Sequence, residues 1–117
     1  SAFIENIRSI SRRAEDVYGE TVGYWQPDEP PITALFAAFG QWIEEDFDNI
    51  EMDARRRIFL LIEQAMTEGD ELVATAVATG LIEALTGKIG SDLYKWKKVS
   101  SCFGPYSLSH ARAWSGM

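Results

Sequence analysis

Two short acidic segments contain residue types that could bind a divalent metal ion. Residues 44–48 read EEDFD and residues 68–71 read EGDE, and hard cations such as Mg²⁺ take oxygen ligands of this kind. The matching chemistry is metal-assisted hydrolysis of a nucleotide phosphate. Two carboxylates of the first segment can share a helix face, but Gly69 interrupts the second segment where a helix is expected to end. The spacing therefore predicts no two-sided metal site and no cofactor.

The only histidine and the only cysteine could form a nucleophile and base pair if they met. Cys102 and His110 are eight positions apart with a predicted turn between them, and no local signature of a cysteine hydrolase accompanies either of them. We therefore expect His110 to be a partly exposed helix residue and Cys102 to be a small, buried, apolar one. One cysteine also permits no intramolecular disulfide.

Charge is distributed unevenly along the chain, whose net charge is −7. Residues 14–54 contain eleven acids and no lysine or arginine, whereas residues 88–117 contain five cations and one acid. An acidic region of this size repels nucleic acid and anionic lipid and attracts basic protein surfaces. We therefore expect a protein partner and no direct contact with nucleic acid or membrane.

The densest acidic segment, residues 41–53, has six carboxylates and no cation. Together with residues 24–31, a Pro-rich segment with two aromatic residues, it forms the candidate partner-binding surface. The candidate residues are Glu44, Glu45, Asp46, Asp48, Glu51, Trp25, Asp28 and Glu29. Two simpler interpretations stay open: the acids could be a solvated helix end, and Trp25 could cover the core. Part of the charge could also be neutralised locally, by a pair such as Asp53 with Arg56 or Arg57.

The elements that position these residues are predicted to be helices, because apolar residues recur at helical spacing and strand-like alternation is nearly absent. This spacing predicts one amphipathic helix over residues 2–18, ended by Gly19 or Gly23. The prolines of residues 24–31 predict a loop. A second helix begins at one of the last two prolines, and its apolar face is formed by Leu35, Phe36, Phe39, Trp42, Ile43 and Phe47.

The middle of the chain predicts two further helices. The third covers residues 52–67 and is ended by Gly69, and its apolar block at residues 58–62 is typical of a helix surrounded by others. Asp70 is expected to cap the fourth helix, in which apolar pairs repeat every four positions and small residues allow close packing. Gly87 is expected to end it.

The C-terminal part predicts two shorter helices. Ser91 is expected to cap the first, which extends through residues 95–98, where Trp96 is assigned to the core and the lysines to a solvated face. Gly104 and Pro105 open the last helix, which bears Leu108, Ala111 and Trp114.

Length and composition fit one folded domain covering residues 1–117. With 46% apolar and 25% charged residues, the chain is typical of globular proteins. The predicted fold class is all-α, a compact bundle of five to six helices, with stacked helical hairpins left open. No apolar run approaches the roughly 20 residues of a membrane span and no signal-peptide pattern opens the chain, so we expect a cytoplasmic protein.

The C-terminal half resembles a family of small bacterial proteins. The segments VATAVATGLIEALTG and KWKKVSSCFGPYSLSHARAW are similar to all-α proteins encoded beside polymorphic toxins, including immunity proteins of contact-dependent growth inhibition systems. In both, an Ala-rich helix precedes a hydrophobic-Gly-Pro turn and a final helix with an aromatic residue. The resemblance covers about residues 58–117 and implies a protein that neutralises a toxin domain, often a nuclease. It carries over no catalytic or binding residue.

Charge and resemblance lead to the same functional hypothesis. Nuclease toxins must hold phosphates and so present basic clefts, which an acidic protein can occupy or flank. We therefore predict an immunity protein without enzymatic activity that binds the C-terminal domain of a cognate toxin. A helical adaptor or scaffold is the main alternative, and a metal-dependent nucleotide phosphohydrolase is the second.

Overall fold

Helices form nearly all of the regular structure in the computed structural model, which describes residues 1–87, 89 and 92–116. They are α1 (Ala2–Arg8), α2 (Arg12–Trp25), α3 (Ile32–Glu45), a 3₁₀ turn (Phe47–Asn49), α4 (Met52–Glu68), α5 (Glu71–Ala76), a π-helical segment (Val77–Ile82), α6 (Glu83–Gly87), α7 (Leu93–Ser100) and α8 (Pro105–Ser115). Because α5, the π segment and α6 follow one another without a break, these ranges make seven separate helices. The described residues contain no strand, which confirms the all-α class.

The N-terminal apolar repeat forms two helices, so the predicted single helix over residues 2–18 is wrong. Ser11 adopts an extended conformation, and its hydroxyl accepts a hydrogen bond from the backbone N–H of Ala14 at 3.1 Å, which caps α2. The break allows α1 to change direction and to bury Phe3 and Ile7 in the core.

Helix α2 also ends later than predicted. Gly19 and Gly23 both lie within it, because a glycine inside a helix weakens it without ending it. The helix stops at Gln26, whose backbone is extended (φ −56°, ψ 143°) as expected for a residue before proline. Tyr24 and Trp25, predicted to lie in a loop, therefore occupy the last turn of α2.

Helix α3 lies at the centre of the core. All six residues of its predicted apolar face are buried, which confirms that face, although Phe47 belongs to the 3₁₀ turn after the helix. The first helical residue is Ile32, with Pro31 at the capping position just before it. Against α3 pack α2 on one side and the π segment with α6 on the other.

The fourth predicted helix is confirmed, with Asp70 as its cap and Gly87 as its last residue. The Asp70 carboxylate accepts a hydrogen bond from Val73 N at 2.9 Å. A π segment in the middle was not predicted. In an α-helix, four residues turn the chain by about 400°. Side chains spaced four residues apart therefore move around the helix axis by about 40° at each repeat. The wider π turn absorbs this surplus rotation and keeps the apolar residues on the buried side.

Helix α4 is confirmed with its end at Gly69, but it is not surrounded as predicted. Ile58, Phe59 and Ile62 are buried, whereas Leu60 is 58% exposed. The apolar block therefore covers the core with one face and leaves an apolar residue on the surface.

The two C-terminal helices form as predicted, but one cap differs and the lysines do not share a solvated face, because Lys95 and Lys98 are half-buried and only Lys97 is exposed. Gly104 and Pro105 open α8 as predicted. The cap of α7 is Asp92, whose carboxylate accepts a hydrogen bond from Lys95 N at 3.0 Å. The predicted cap Ser91 lies outside the described residues. Trp96 is buried, as predicted.

The shape favours a bundle over an elongated stack of hairpins. The radius of gyration is 13.3 Å, close to the roughly 13 Å expected of a compact domain of this length. None of the described helices combines the length and the apolar character needed to cross a membrane.

Candidate functional site

The acidic segment around the end of α3 is partly neutralised by lysines from α7. Lys95 Nζ lies 2.6 Å from Glu44 Oε1, and Lys98 Nζ lies 2.6 Å from Asp48 Oδ1. The hydrogen bond with Lys98 lowers the pKa of Asp48 and raises the pKa of Lys98. Two of the candidate binding residues therefore hold α7 against the end of α3. The predicted local pair of Asp53 with Arg56 is also present, at 3.8 Å.

The pair between Glu44 and Lys95 is the more buried of the two, with side chains 12% and 28% exposed. We expect Lys95→Ala to lower the free energy of unfolding by about 1 kcal/mol, because Glu44 then keeps its charge in a half-buried site without its hydrogen bond. Urea denaturation measures the change. The control is Lys97→Ala on the exposed face of the same helix, and equal effects of both substitutions would contradict this role of the pair.

The other acids at the end of α3 face α2. Glu45 is exposed, and it lines the end of a shallow depression between α2 and α3 together with Arg13 and Glu20. Arg13 Nη1 lies 2.8 Å from Glu20 Oε1. This hydrogen bond, and then the charges of Glu20 and Asp46, raise the pKa of Arg13. Arg13 therefore lies close to the carboxylates of Glu20, Glu45 and Asp46.

The depression continues along the helices to Trp25, and we call it the α2–α3 groove. Its floor consists of Ala34, Ala37 and Ala38, and its two parts have volumes of about 380 and 160 Å³. Trp25 is half-buried in the wall, whereas the side chain of Tyr24 is 84% exposed. Both aromatic residues line the depression beside the alanines, but Trp25 is the more buried of the two.

Asp28 and Glu29 are exposed in the loop between α2 and α3, just beyond Trp25. Helix α3 has 14 residues, so this loop and the acids after Trp42 lie about 20 Å apart. The structure therefore brings the two predicted segments to opposite ends of one groove. Glu51 is exposed at the start of α4 and belongs to neither end.

The two acidic segments considered for metal binding cannot share one ion. Residues 44–48 precede α4 and residues 68–71 follow it, and its 17 residues separate them by about 24 Å. Within the second segment, Asp70 is used as a helix cap. Across the described part of the chain, no three His, Cys, Asp or Glu side chains are grouped so that they could hold a metal ion.

His110 and Cys102 do not form a reactive pair. His110 Nε2 lies 3.0 Å from Glu83 Oε2, and the histidine is half-buried between α8 and α6. Cys102 is half-buried too, which corrects the expectation of full burial, and its thiol lies 3.5 Å from the carbonyl oxygen of Lys98. The expected partial exposure of His110 is confirmed.

A second concave surface was not predicted, and we call it the apolar groove. It has a volume of about 600 Å³ and lies between α4 and the segment from Lys98 to Gly104. Rings of Phe47, Phe59 and Phe103 form its floor. The only sequence signal for this groove is the apolar block at residues 58–62. The block is wider than one buried face requires, and it leaves Leu60 exposed on the wall of the groove.

Comparison with known proteins gives one result. Residues 2–115 match a protein-family model described as "Domain of unknown function (DUF7674)", and the chain belongs to this family. Neither the curated proteins nor the solved structures contain a match.

Proposed function

Since the family to which the chain belongs has no described function, we propose one from the chain's own surface: it binds and neutralises a toxin domain as an immunity protein. The α2–α3 groove, with carboxylates at both ends, is the observation that supports this proposal best. The partner is a basic domain at the C-terminus of a cognate toxin, and a nuclease fits because its cleft must hold phosphates.

The form of the groove favours a protein partner over a small substrate. It is shallow and open, and its alanine floor offers few groups that could orient a small molecule. The exposed ring of Tyr24 provides an aromatic anchor of the type enriched at interfaces. The roughly 20 Å between the groove ends fits within one standard interface, which buries about 800 Å² on each partner.

The charges at the loop end are available to a partner. Within the part of the chain that the structure describes, Asp28 and Glu29 have no cation within ion-pairing distance and are exposed. Such charges speed up association with a basic surface and disfavour acidic partners. Glu44 and Asp48, which are bound to lysines of the chain itself, contribute less to this attraction.

Inhibition by this route needs binding alone, so the proposed protein acts without catalysis. Its place of action is the cytoplasm, where a nuclease toxin meets nucleic acid.

A pull-down from the source cells at about 0.1 M and about 0.5 M salt tests the proposal, because exposed charge pairs are screened between these conditions. Recovery of a basic toxin domain that loses activity on binding supports it. Recovery of a different protein supports the adaptor alternative.

A double charge reversal tests which surface binds the toxin domain. We expect Asp28→Lys with Glu29→Lys to slow association about tenfold at low salt, and less at high salt, because steering by charge is screened. Stopped-flow or surface binding kinetics measures the rate.

The matched control is Glu68→Lys with Glu71→Lys, which changes the net charge equally on exposed residues at the junction of α4 and α5. Equal rates for the two double variants would remove the α2–α3 groove as the binding surface.

A further inference from the structure

The apolar groove has the size and lining of a small-molecule site. Its volume of about 600 Å³ falls in the range of about 300–1,000 Å³ typical of such sites. Phe59 stands edge-on to both neighbouring rings, at 6.3 Å from Phe47 and 5.2 Å from Phe103. The rings are buried, whereas Met52 and Leu60 on the rim are 57% and 58% exposed. An apolar ligand bound in the groove would cover the exposed side chains of Met52 and Leu60.

Cations surround the opening of the apolar groove. Arg55 stacks over the ring of Phe47 at 4.8 Å and donates a hydrogen bond to its carbonyl oxygen at 3.5 Å. No carboxylate of the described residues lies within ion-pairing distance of Arg55. Lys98 and Arg56 are paired with acids that stand outside the groove lining.

Glu63 is the one acid among the lining residues that the structure describes, and it is already used. Its carboxylate accepts hydrogen bonds from Tyr106 N, Ser107 N and Ser107 Oγ at 2.7–3.0 Å. These bonds direct the carboxylate oxygens toward α8 and leave the negative charge in place, so the described lining residues include three cations, Arg55, Arg56 and Lys98, against this one acid. The groove therefore combines an apolar floor with a cationic opening.

We propose that the apolar groove binds a small amphipathic organic acid, with its apolar body on the three phenylalanine rings and its carboxylate beside Arg55 and Lys98. A neutral ligand would cover the guanidinium of Arg55 without forming an ion pair with it, and a cationic ligand would be repelled by it. A second copy of this chain is disfavoured, because its net charge of −7 opposes self-association. This site is independent of the α2–α3 groove.

Calorimetric titration of the purified protein with three ligands of equal chain length tests the proposal. Decanoate, decanol and decyltrimethylammonium are used below their micelle thresholds. Decanoate is expected to bind saturably at one site, decanol about tenfold more weakly, and the ammonium compound more weakly still. Equal binding of all three, or no binding of decanoate, would overturn the proposal.

Substitutions then locate the site. Arg55→Gln is expected to weaken decanoate about tenfold and to leave decanol unchanged, whereas Asp48→Asn strengthens decanoate because it releases Lys98. Leu60→Ser weakens both ligands. The matched control is Leu72→Ser on α5, which removes an equally exposed leucine outside the groove. Binding that falls equally with Leu60→Ser and Leu72→Ser would place the ligand elsewhere.

The only cysteine of the chain gives a second readout, because Cys102 lines the groove. Bound decanoate is expected to slow the reaction of Cys102 with a thiol reagent, in proportion to the occupancy found by calorimetry. A rate that stays constant at saturation would show that the ligand does not occupy this groove. Neither readout involves a toxin, so failure here leaves the proposed inhibition untouched.

Discussion

Replacing Gly40 by alanine is expected to lower the free energy of unfolding by about 3 kcal/mol, because the added methyl group has no room in the core. Gly40 is buried on α3 where that helix crosses the π segment. An added Cβ would overlap the backbone oxygen of Leu81 and lie 3.1 Å from Cβ of Ala84. A backbone oxygen cannot rotate away, so the two helices would have to separate.

The same crossing is tight from the other side. A Cβ on Gly80 would lie 2.8 Å from the backbone oxygen of Thr33 and 3.1 Å from Cβ of Phe36. Each helix thus presents a glycine to the backbone of the other. The gain in helix propensity from glycine to alanine, about 1 kcal/mol, is too small to offset such overpacking.

The matched control for Gly40→Ala is Gly23→Ala in α2. A Cβ there meets no atom within 4 Å, so only the propensity changes and stability should rise by about 0.5–1 kcal/mol. Urea denaturation of both variants measures the difference. A Gly40→Ala variant as stable as the wild type would show that α3 and the π segment can separate at little cost.

Replacing Glu63 by glutamine is expected to cost about 2 kcal/mol, because it removes the charge that caps α8. Gly104 and Pro105 provide no side-chain cap for this helix. The Glu63 carboxylate, from α4, accepts the hydrogen bonds of Tyr106 N and Ser107 N instead. A negative charge at a helix N-terminus is stabilised further by the helix dipole.

The position of Glu63 also explains the glycine beside it. A Cβ on Gly104 would lie 2.5 Å from Cδ of Glu63, so any larger residue would displace the carboxylate from its donors. Glutamine keeps the size of the side chain but turns an amide group toward one of two N–H donors. The cost therefore reflects lost hydrogen bonding and charge, with the packing nearly unchanged.

The stability that Glu63 contributes depends on pH. Burial alone would raise its pKa, but the hydrogen bonds from the Ser107 side chain and from Ser107 and Tyr106 N–H outweigh burial and lower the pKa below its ordinary value. The folded state therefore binds the proton more weakly than the unfolded state. The stabilisation is complete above the ordinary pKa of 4.5 and is lost as the pH falls through the lower folded value.

Urea denaturation at pH 7 and in steps below pH 4.5 checks this prediction. We expect Glu63→Gln to differ from the wild type by about 2 kcal/mol at pH 7 and by progressively less as the pH falls. Glu68→Gln on the same helix removes the same charge from an exposed residue and serves as the control. A difference that does not shrink in acid would contradict the role of the Glu63 charge.

Much of the fold could be predicted from the sequence, because it depends on interactions between near neighbours in the chain. The apolar periodicity of α3, the stop at Gly69, the cap at Asp70 and the start of α8 at Pro105 each follow from signals within about four residues, although the Glu63 cap of α8 comes from α4. Such contacts leave a local pattern. The all-α class could be read from them for the same reason.

The errors arose where local signals compete. Residues 2–18 fit one helix by periodicity, but the Ser11 cap and the burial of Phe3 and Ile7 favour a break. A glycine can end a helix but does not have to, and α2 continues past Gly19 and Gly23. It ends at Trp25 because Pro27 keeps the backbone of the residue before it out of the helical conformation. The π segment was missed because the four-residue apolar repeat was taken as a regular α-helix, without the surplus rotation that such a repeat has to absorb.

The candidate sites depended almost entirely on tertiary structure. The sequence identified the acids of residues 44–48 and 28–29, but the tertiary fold decided which of them are neutralised, because Lys95 lies 51 residues from Glu44. It also placed Glu63 at α8, across 44 residues from Ser107, and left Leu60 on the surface beside three buried rings. Residue type and charge are properties of the chain, whereas partners this far apart are selected only when the helices pack.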